Sequence, residues 1–265
     1  MEENVITSQQ NARVKHVVAL QQKSSLRREE SLFVVEGLRE IEHCIACGYE
    51  VVELFMNQGN PPVNSQPSTV NHTVSPLVYS KMAYRESTEG VIAVVKAKNH
   101  SISSINYKLF NINSPLVVVL ERVEKPGNLC AILRTAEAAH VDAVIVCDPL
   151  TDIYNPNVIR ASIGGVFSIP VAVCTSEECI TFLKEHNIRI LTAQLQDSYD
   201  YYDYDMTCAT AIVMGTESTG LSQQWRDAAD AHIRIPMLGR LDSLNVSVSA
   251  AILMYEAVRQ RNNHL

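Results

Sequence analysis

The chain has 265 residues, of which 46% are apolar and 19% are charged. This composition excludes a mainly disordered protein, because enough apolar side chains are present to bury one sizeable core or two small ones. The formal net charge of −7 excludes a protein that coats nucleic acid through bulk positive charge, although a local basic patch is compatible with it.

The sequence predicts neither a membrane span nor an export signal. No uninterrupted apolar run approaches the roughly 18 residues that a membrane span requires. The start of the chain, residues 1–4, has neither the positive charge nor the apolar stretch of a signal peptide. We therefore expect a cytoplasmic protein that has no membrane partner.

The seven cysteines are an odd number, and a chain of this length needs no disulfide staples. We expect all of them to be reduced thiols. Cys44 and Cys47 form a lone C-x-x-C motif on one face of a helical stretch, and no second pair or histidine pair follows. We interpret them as core residues rather than as a zinc or redox site, and we expect no bound metal.

The first hundred residues predict a small α/β domain. A helix at residues 11–28 is followed by a strand at 32–35, a helix at 36–47, a strand near 51–55, an irregular stretch at 57–66 and a final strand at 91–95. We place this domain at residues 1–98. The polar, aperiodic stretch at residues 99–113 is typical of a linker.

The helical segment at residues 11–28 carries five basic residues and no acidic one. Such a face can bind RNA phosphates, or it can be an ordinary solvated helix surface. The five basic residues are Arg13, Lys15, Lys23, Arg27 and Arg28.

Residues 114–265 alternate short β-branched runs with helical patterns. The runs are apolar at every position, which is typical of strands covered on both faces. We therefore predict an α/β domain built on a mostly parallel sheet. The stretch at residues 197–205, rich in tyrosine and aspartate, is interpreted as a surface loop, with an RNA-stacking platform as the less favoured alternative. The predicted strands are 116–120, 143–147, 171–173, 188–192, 211–214 and 233–235.

Three segments near strand ends carry polar residues. In the first, at residues 126–138, Arg134 points away from the apolar stripe of its helix. This indicates either a guanidinium facing a cleft or a solvated arginine on a helix capped by Asn128. The second segment, residues 211–222, joins a strand to a helix start through Gly215, and it matches neither a P-loop nor a dinucleotide fingerprint.

The third segment, residues 235–252, places Ser243 and Asn245 ahead of a helix rich in serine and alanine. Taken alone, it fits a buried helix whose hydroxyls bond back to backbone carbonyls.

Together, the three segments resemble the signature motifs of the SpoU (TrmH-like) branch of the SPOUT superfamily of RNA methyltransferases. The family motifs N-x-x-A-I-x-R-T-A, G-x-E-x-x-G-L-S and I-P-M-x-G-x-x-x-S-L-N-V-S-V-A correspond in order to residues 128–136, 215–222 and 235–249. Cys130 stands where glycine is common, and Ser218 with Thr219 replaces a frequent Gly-Glu or Gly-Thr. The stretches at 6–8, 33–37 and 90–94 are similar to the substrate-binding domain that precedes many SpoU catalytic domains.

The resemblance implies a catalytic α/β domain with a C-terminal trefoil knot, S-adenosyl-L-methionine (AdoMet) as cofactor, and a homodimer. It implies methyl transfer to a ribose 2′-oxygen of rRNA or tRNA. The catalytic residues that it implies are Asn128, Arg134, Glu217, Ser243 and Asn245. The cofactor contacts that it implies are Thr192, Met214, Gly215, Ile235 and Leu244.

Two questions stay open at this point. The first is the role of Arg134, which is the family's favoured candidate for the catalytic base. A guanidinium keeps its proton to a pKa above about 12, so the alternative role is to bind an RNA phosphate. The main alternative function is an RNA-binding protein that keeps the fold without methyl transfer. A dehydrogenase is disfavoured because its glycine fingerprint is absent.

Overall fold

The computed structural model describes residues 5–61, 66–84, 89–216 and 218–262, except for the side chains of 106–108 and 110. The chain divides into two compact units, and each unit draws on two stretches of sequence. The first contains residues 1–98 and 152–167, and the second contains residues 99–151 and 168–265.

The first unit is built on a four-stranded sheet in the order β1-β4-β2-β3. The β1–β4 and β4–β2 pairs are antiparallel, and the β2–β3 pair is parallel. Its elements are α1 (Ala12–Gln22), α2 (Ser24–Glu30), β1 (Leu32–Glu36), α3 (Leu38–Ala46), β2 (Val51–Asn57), β3 (Val70–Val74), α4 (Pro76–Met82), β4 (Val91–Lys96), α7 (Pro156–Ala161) and the start of α8 (Gly165–Ser168).

Two features of this unit differ from the sequence-based expectation. The basic segment forms two helices rather than one, because Lys23 has an extended backbone conformation that ends α1. Residues 152–167, which we expected in the C-terminal domain, contribute to the core of the first unit. Tyr154 stacks on Phe33 with ring centroids 4.1 Å apart, and Phe167 lies edge-on to Tyr49. This aromatic packing explains why residues 152–167 are part of the first unit rather than of the second.

The second unit contains a seven-stranded sheet in the order β7-β6-β5-β10-β8-β11-β9, in which every neighbouring pair is parallel. Its elements are α5 (Ile102–Phe110), β5 (Leu116–Glu121), α6 (Pro126–Ala138), β6 (Ala143–Cys147), β7 (Val171–Cys174), α9 (Ser176–Glu185), β8 (Arg189–Ala193), β9 (Tyr199–Asp200), a 3-10 turn (Tyr201–Asp203), β10 (Thr210–Met214), α10 (Gln223–Ala228), β11 (Ala231–Arg234) and α11 (Val246–Asn262).

All six apolar runs form strands, but only three neighbouring ones are buried along their whole length, and β7 and β11 contain partly exposed residues. Every residue of β5, β6 and β10 is buried. Helices α5, α9 and α10 supply one side of the core, for example through Phe182 and Trp225. The trefoil knot implied by the resemblance stays a prediction.

The region expected to be a linker contains a helix. Ile105 and Leu109 of α5 are buried in the core of the second unit. These two apolar positions, four residues apart, lie on one helix face, so the segment has an amphipathic pattern that its serine and asparagine content conceals. Strand β9 was also not expected; it adds a short edge to the sheet beside β11. Within the described part of the chain, no helix has both the length and the apolarity that a membrane span requires.

Candidate active site

A cavity of about 600 Å³ lies at the carboxyl edge of β8, β10 and β11 in the second unit. All strands of this sheet are parallel, so the loops that leave them meet at the same edge. The loops after β8 and β10, the segment 242–246 and the first turns of α11 line the cavity. Its volume is within the usual range for a small-molecule or cofactor site.

The turn after β10 narrows this cavity and depends on glycine. Thr216 and Gly220 pair as an antiparallel bridge, with reciprocal backbone hydrogen bonds of 3.2 and 3.0 Å. A Cβ atom on Gly215 would lie within 2.5 Å of the Gly220 carbonyl oxygen and of the Leu221 amide nitrogen. Only glycine therefore permits this close approach of two backbone segments.

A smaller cavity of about 190 Å³ adjoins the same turn and shares Met214, Gly215 and Thr216 with the larger one. It is also lined by Glu121, at the end of β5. Glu121 is 2% exposed, and its carboxylate accepts a hydrogen bond of 2.8 Å from the backbone N–H of Ser222. This contact fixes the segment after the glycine turn against β5.

The first and third sequence motifs meet beside these cavities. The side-chain amide of Asn245 donates to Oδ1 of Asn128 over 3.1 Å, although the residues are 117 positions apart. Asn245 also caps α11, because its Oδ1 accepts from the backbone N–H of Ser247 at 2.9 Å. The helix start thus holds one member of the pair in place. Asn128 itself lies within α6, whose cap is Lys125, so it is not the helix cap considered above.

The predicted site residues are distributed unevenly around this site. Ser243 and Asn245 line the larger cavity, and Asn128 lines the smaller one. Arg134 lines neither cavity; it is exposed on α6, and no hydrogen-bond partner is found for it among the described residues. Glu217 lies outside the residues that the structure describes. Among the predicted cofactor contacts, the larger cavity is lined by Met214, Gly215, Ile235 and Leu244.

The predicted contact at Thr192 is wrong. Its side chain is fully buried and its hydroxyl bonds to Nδ1 of His232 at 2.6 Å, so it faces β11 rather than the cavity. Sequence reasoning missed the loop that follows it. Gln194 lines the cavity, and its buried Oε1 has no hydrogen-bond partner within the described ranges. The only available signal was its position just past the end of a predicted strand.

The two departures from the family motifs are accommodated locally. The Cys130 thiol is buried in α6 and donates to the carbonyl of Pro126 at 2.7 Å. Ser218 lines both cavities. The Cys130 thiol, which stands in place of glycine, is therefore packed within α6 and does not line either cavity.

The basic residues of the first unit do not form one continuous face. Lys15, Lys23 and Arg28 are exposed, and Arg13 is exposed while it pairs with Glu53 at 3.2 Å. Arg27 is the exception, because it is 5% exposed and bonds to Asp152 at 2.7 Å and to the carbonyls of Leu20 and Gln21. The expectation that Arg27 contacts RNA is therefore wrong, because its buried guanidinium is hydrogen-bonded to groups inside the first unit.

A polar cavity of about 680 Å³ lies beside α1 on the first unit. It is lined by residues 5–8, Asn11 and Arg13, and by 71–73 on β3. It contains part of the front-end sequence that resembles a substrate-binding domain.

Family models match nearly the whole chain. The SpoU rRNA Methylase family matches residues 115–255, and the MRM3-like substrate binding domain matches residues 11–93. A 23S rRNA (uridine(2479)-2′-O)-methyltransferase of Streptomyces viridochromogenes is 30% identical to the chain, with 97% of this chain and 92% of the relative covered.

Two further relatives show how far the similarity extends. A protein of Staphylococcus haemolyticus that is named as a TrmH family tRNA/rRNA methyltransferase is 40% identical to the chain over 147 residues. This match covers 55% of the chain and 59% of the relative's length. Among solved structures, the SpoU methyltransferase AviRb from Streptomyces viridochromogenes, in complex with AdoMet, matches with a TM-score of 0.86 and 28% identity, covering 96% of this chain and 99% of that one.

Proposed function

The chain belongs to the SpoU rRNA methylase family, and from this premise we propose that it transfers a methyl group from AdoMet to a ribose 2′-oxygen of rRNA or tRNA. The observation that carries the proposal is the contact between Asn245 and Asn128. It brings the first and third motifs together at the edge of a cavity that the second motif closes.

The larger cavity has two features that suit a bound AdoMet. The turn packs the backbone of Gly220 and Leu221 directly against Gly215, so backbone rather than a side chain forms this wall of the cavity. Ser243 and Asn245 supply polar side chains at the cavity wall. Met214, Ile235 and Leu244 supply apolar surface around these groups. When bound, AdoMet supplies an electrophilic methyl group.

The residues of the chain would orient the ribose and offset charge. Transfer would form a bond between the methyl carbon and the ribose 2′-oxygen and break a C–S bond, with the thioether as the leaving group, and the proton of the 2′-hydroxyl would pass to solvent water. Asn128, Ser243 and Asn245 offer amide and hydroxyl groups that can hold the ribose in line. A guanidinium has five N–H donors and no acceptor atom, so we assign Arg134 to an RNA phosphate and to the developing negative charge rather than to proton removal. Its exposed position leaves it accessible to RNA.

We assign RNA docking to the first unit, supported by its match to a substrate-binding domain and by exposed Lys15, Lys23 and Arg28. We also propose a homodimer, which the family resemblance implies. We also propose a cytoplasmic location, a reducing compartment in which the seven cysteines would stay thiols.

An Arg134→Ala variant tests the proposal. We expect methyl transfer from tritiated AdoMet to RNA to fall by a factor on the order of 10² or more, the loss typical for removal of a positioned charge from a transition state. AdoMet affinity, measured by calorimetry, and thermal stability should barely change, because the side chain is exposed. Lys184→Ala, which removes another exposed cation of this unit, is the matched control.

Normal turnover in Arg134→Ala would contradict the assignment of this arginine. If wild-type protein binds AdoMet and RNA but transfers no methyl group to any rRNA or tRNA, the chain is an RNA-binding protein that has kept the fold, and the proposed activity is wrong.

A further inference from the structure

Three cysteines converge in the second unit, away from the residues that line its two cavities. The sulfur atoms of Cys147, Cys174 and Cys179 all lie within 4.8 Å of one another. Cys147 and Cys179 are fully buried, whereas Cys174 is half-buried. No activity assigned above uses them.

The backbone fixes this arrangement. Cys147 and Cys174 are the last residues of the neighbouring strands β6 and β7, and they are direct partners in the strand register. Cys179 lies in the first turns of α9, which is anchored by a complete capping box between Thr175 and Glu178. The three sulfurs therefore converge through secondary structure rather than through a mobile loop.

The geometry points to a site for one soft metal ion of the Zn²⁺ class, bound by the three cysteine sulfurs, and we propose that the protein binds such an ion. A triangle with sides of 4.8 Å has its centre about 2.8 Å from each corner, so shifts of about 0.5 Å would bring each sulfur to the usual Zn–S distance of about 2.3 Å. Soft thiolate ligands select this class of metal over hard cations.

The surrounding charges favour a cation here. The Asp148 carboxylate receives hydrogen bonds from the backbone N–H and the hydroxyl of Ser176 at 3.1 and 2.7 Å, and it is thereby held next to Cys147. The Glu178 carboxylate directly precedes Cys179 in the chain and is held in the capping box with Thr175. Negative groups near a thiolate cluster are compensated when a divalent cation is bound.

The chain contains a built-in reporter for this site. Trp225, the single tryptophan, is fully buried in the same core cluster as Cys147 and Cys179. Its ring N–H donates to the Ser176 hydroxyl at 3.0 Å, and that hydroxyl donates to Asp148. Binding of an ion at the cysteines should therefore change tryptophan fluorescence.

The test uses full-length protein that has been stripped with a chelator and kept reduced with a phosphine. Titration with Cd²⁺ should produce the ultraviolet thiolate-to-cadmium absorption band, saturate at one ion per chain and change Trp225 fluorescence with the same midpoint. Zn²⁺ should compete. Cys174→Ser should weaken binding by a factor on the order of 10² or more, and Cys47→Ser, which alters the separate C-x-x-C motif, should leave it unchanged.

Several results would overturn the proposal. If the wild-type protein shows no stoichiometric cadmium absorption band, the proposal is wrong, and no variant is needed to show it. Loss of the band in Cys47→Ser with no effect in Cys174→Ser would place the metal at Cys44 and Cys47. A disulfide between two of the three cysteines after mild oxidation, with no metal binding by the reduced protein, would make the cluster a redox pair. Circular dichroism checks that Cys174→Ser folds, and Cys147→Ala provides a second variant with the same expected loss.

Discussion

Gly215 is the residue whose replacement tests the cavity most directly. An added methyl group would clash with the backbone at Gly220 and Leu221, and a backbone neighbour cannot rotate away as a side chain can. We expect Gly215→Ala to displace the turn and to weaken AdoMet binding at least tenfold by calorimetry. Gly127→Ala is the matched control, because a Cβ there meets open space at the start of α6.

Unchanged AdoMet affinity in Gly215→Ala would show that the cofactor does not bind against this turn. Equal losses in the two variants would instead indicate a general effect on folding.

Single residues of the site could be predicted from sequence only where a motif fixes them. The three motifs placed Asn128, Gly215 and Asn245 next to the cavities. Thr192 was misplaced because adjacent residues of a strand point to opposite faces, and a one-residue error in a buried strand leaves no polarity pattern to correct it. The cysteine cluster was equally hidden, since only the pairing of β6 with β7 brings Cys147 beside Cys174.

At the scale of elements, Arg27 joins helix α2 to the end of α1 and to the segment after β6. Its guanidinium bonds to Asp152 and to two carbonyls of α1. Arg27→Ala would leave a largely buried carboxylate and two carbonyls without their partner, and we expect a loss of about 3–5 kcal/mol in unfolding free energy. Arg28→Ala, at the exposed neighbouring position, should cost less than about 0.5 kcal/mol.

Urea titration measures both free energies, and filter binding measures RNA affinity. If Arg27→Ala is as stable as Arg28→Ala but binds RNA more weakly, the arginine is an RNA contact after all.

The start of α11 combines a structural and a chemical role in Asn245. Asn245→Ala removes the helix cap and should cost about 1 kcal/mol of stability. Asn245→Asp keeps a capping oxygen but removes the amide that donates to Asn128 and adds negative charge where RNA would bind. We expect near-normal thermal stability and at least a tenfold loss of methyl transfer in this variant. Full activity in Asn245→Asp would reduce the residue to a helix cap.

Elements were predictable where burial imposes a clear pattern. All six apolar runs became strands, and the pattern is clearest in β5, β6 and β10, where both faces of the parallel sheet are covered. Helix α5 was not predicted because its two buried apolar residues, Ile105 and Leu109, lie among several serine and asparagine residues. The break at Lys23 left no trace in the sequence, since no proline or glycine marks it.

At the scale of the molecule, the order of the chain does not follow the order of the compact units. Residues 152–167 leave the second unit to complete the core of the first. Tyr154, Ile159 and Phe167 are each at most 6% exposed in that core. Sequence patterns reveal which residues are apolar but not which core receives them, so the boundary predicted at residue 98 does not separate two independent parts. Removal of residues 1–98 would expose these three side chains.

The last prediction concerns the assembly. Helix α11 buries one face in its own unit, and on another face Val248 and Tyr255, seven residues apart, are 47% and 49% exposed. Two large side chains exposed on one face of a helix are suited to an interface, and a second copy of the chain would cover them. We expect light scattering at micromolar concentration to give about twice 29.4 kDa for the wild type and the monomer mass for Val248→Glu with Tyr255→Glu. The matched control replaces exposed Tyr199 and Tyr202 with glutamate and should stay dimeric. A monomeric wild type would contradict the dimer, and a double variant that stays dimeric would place the interface elsewhere.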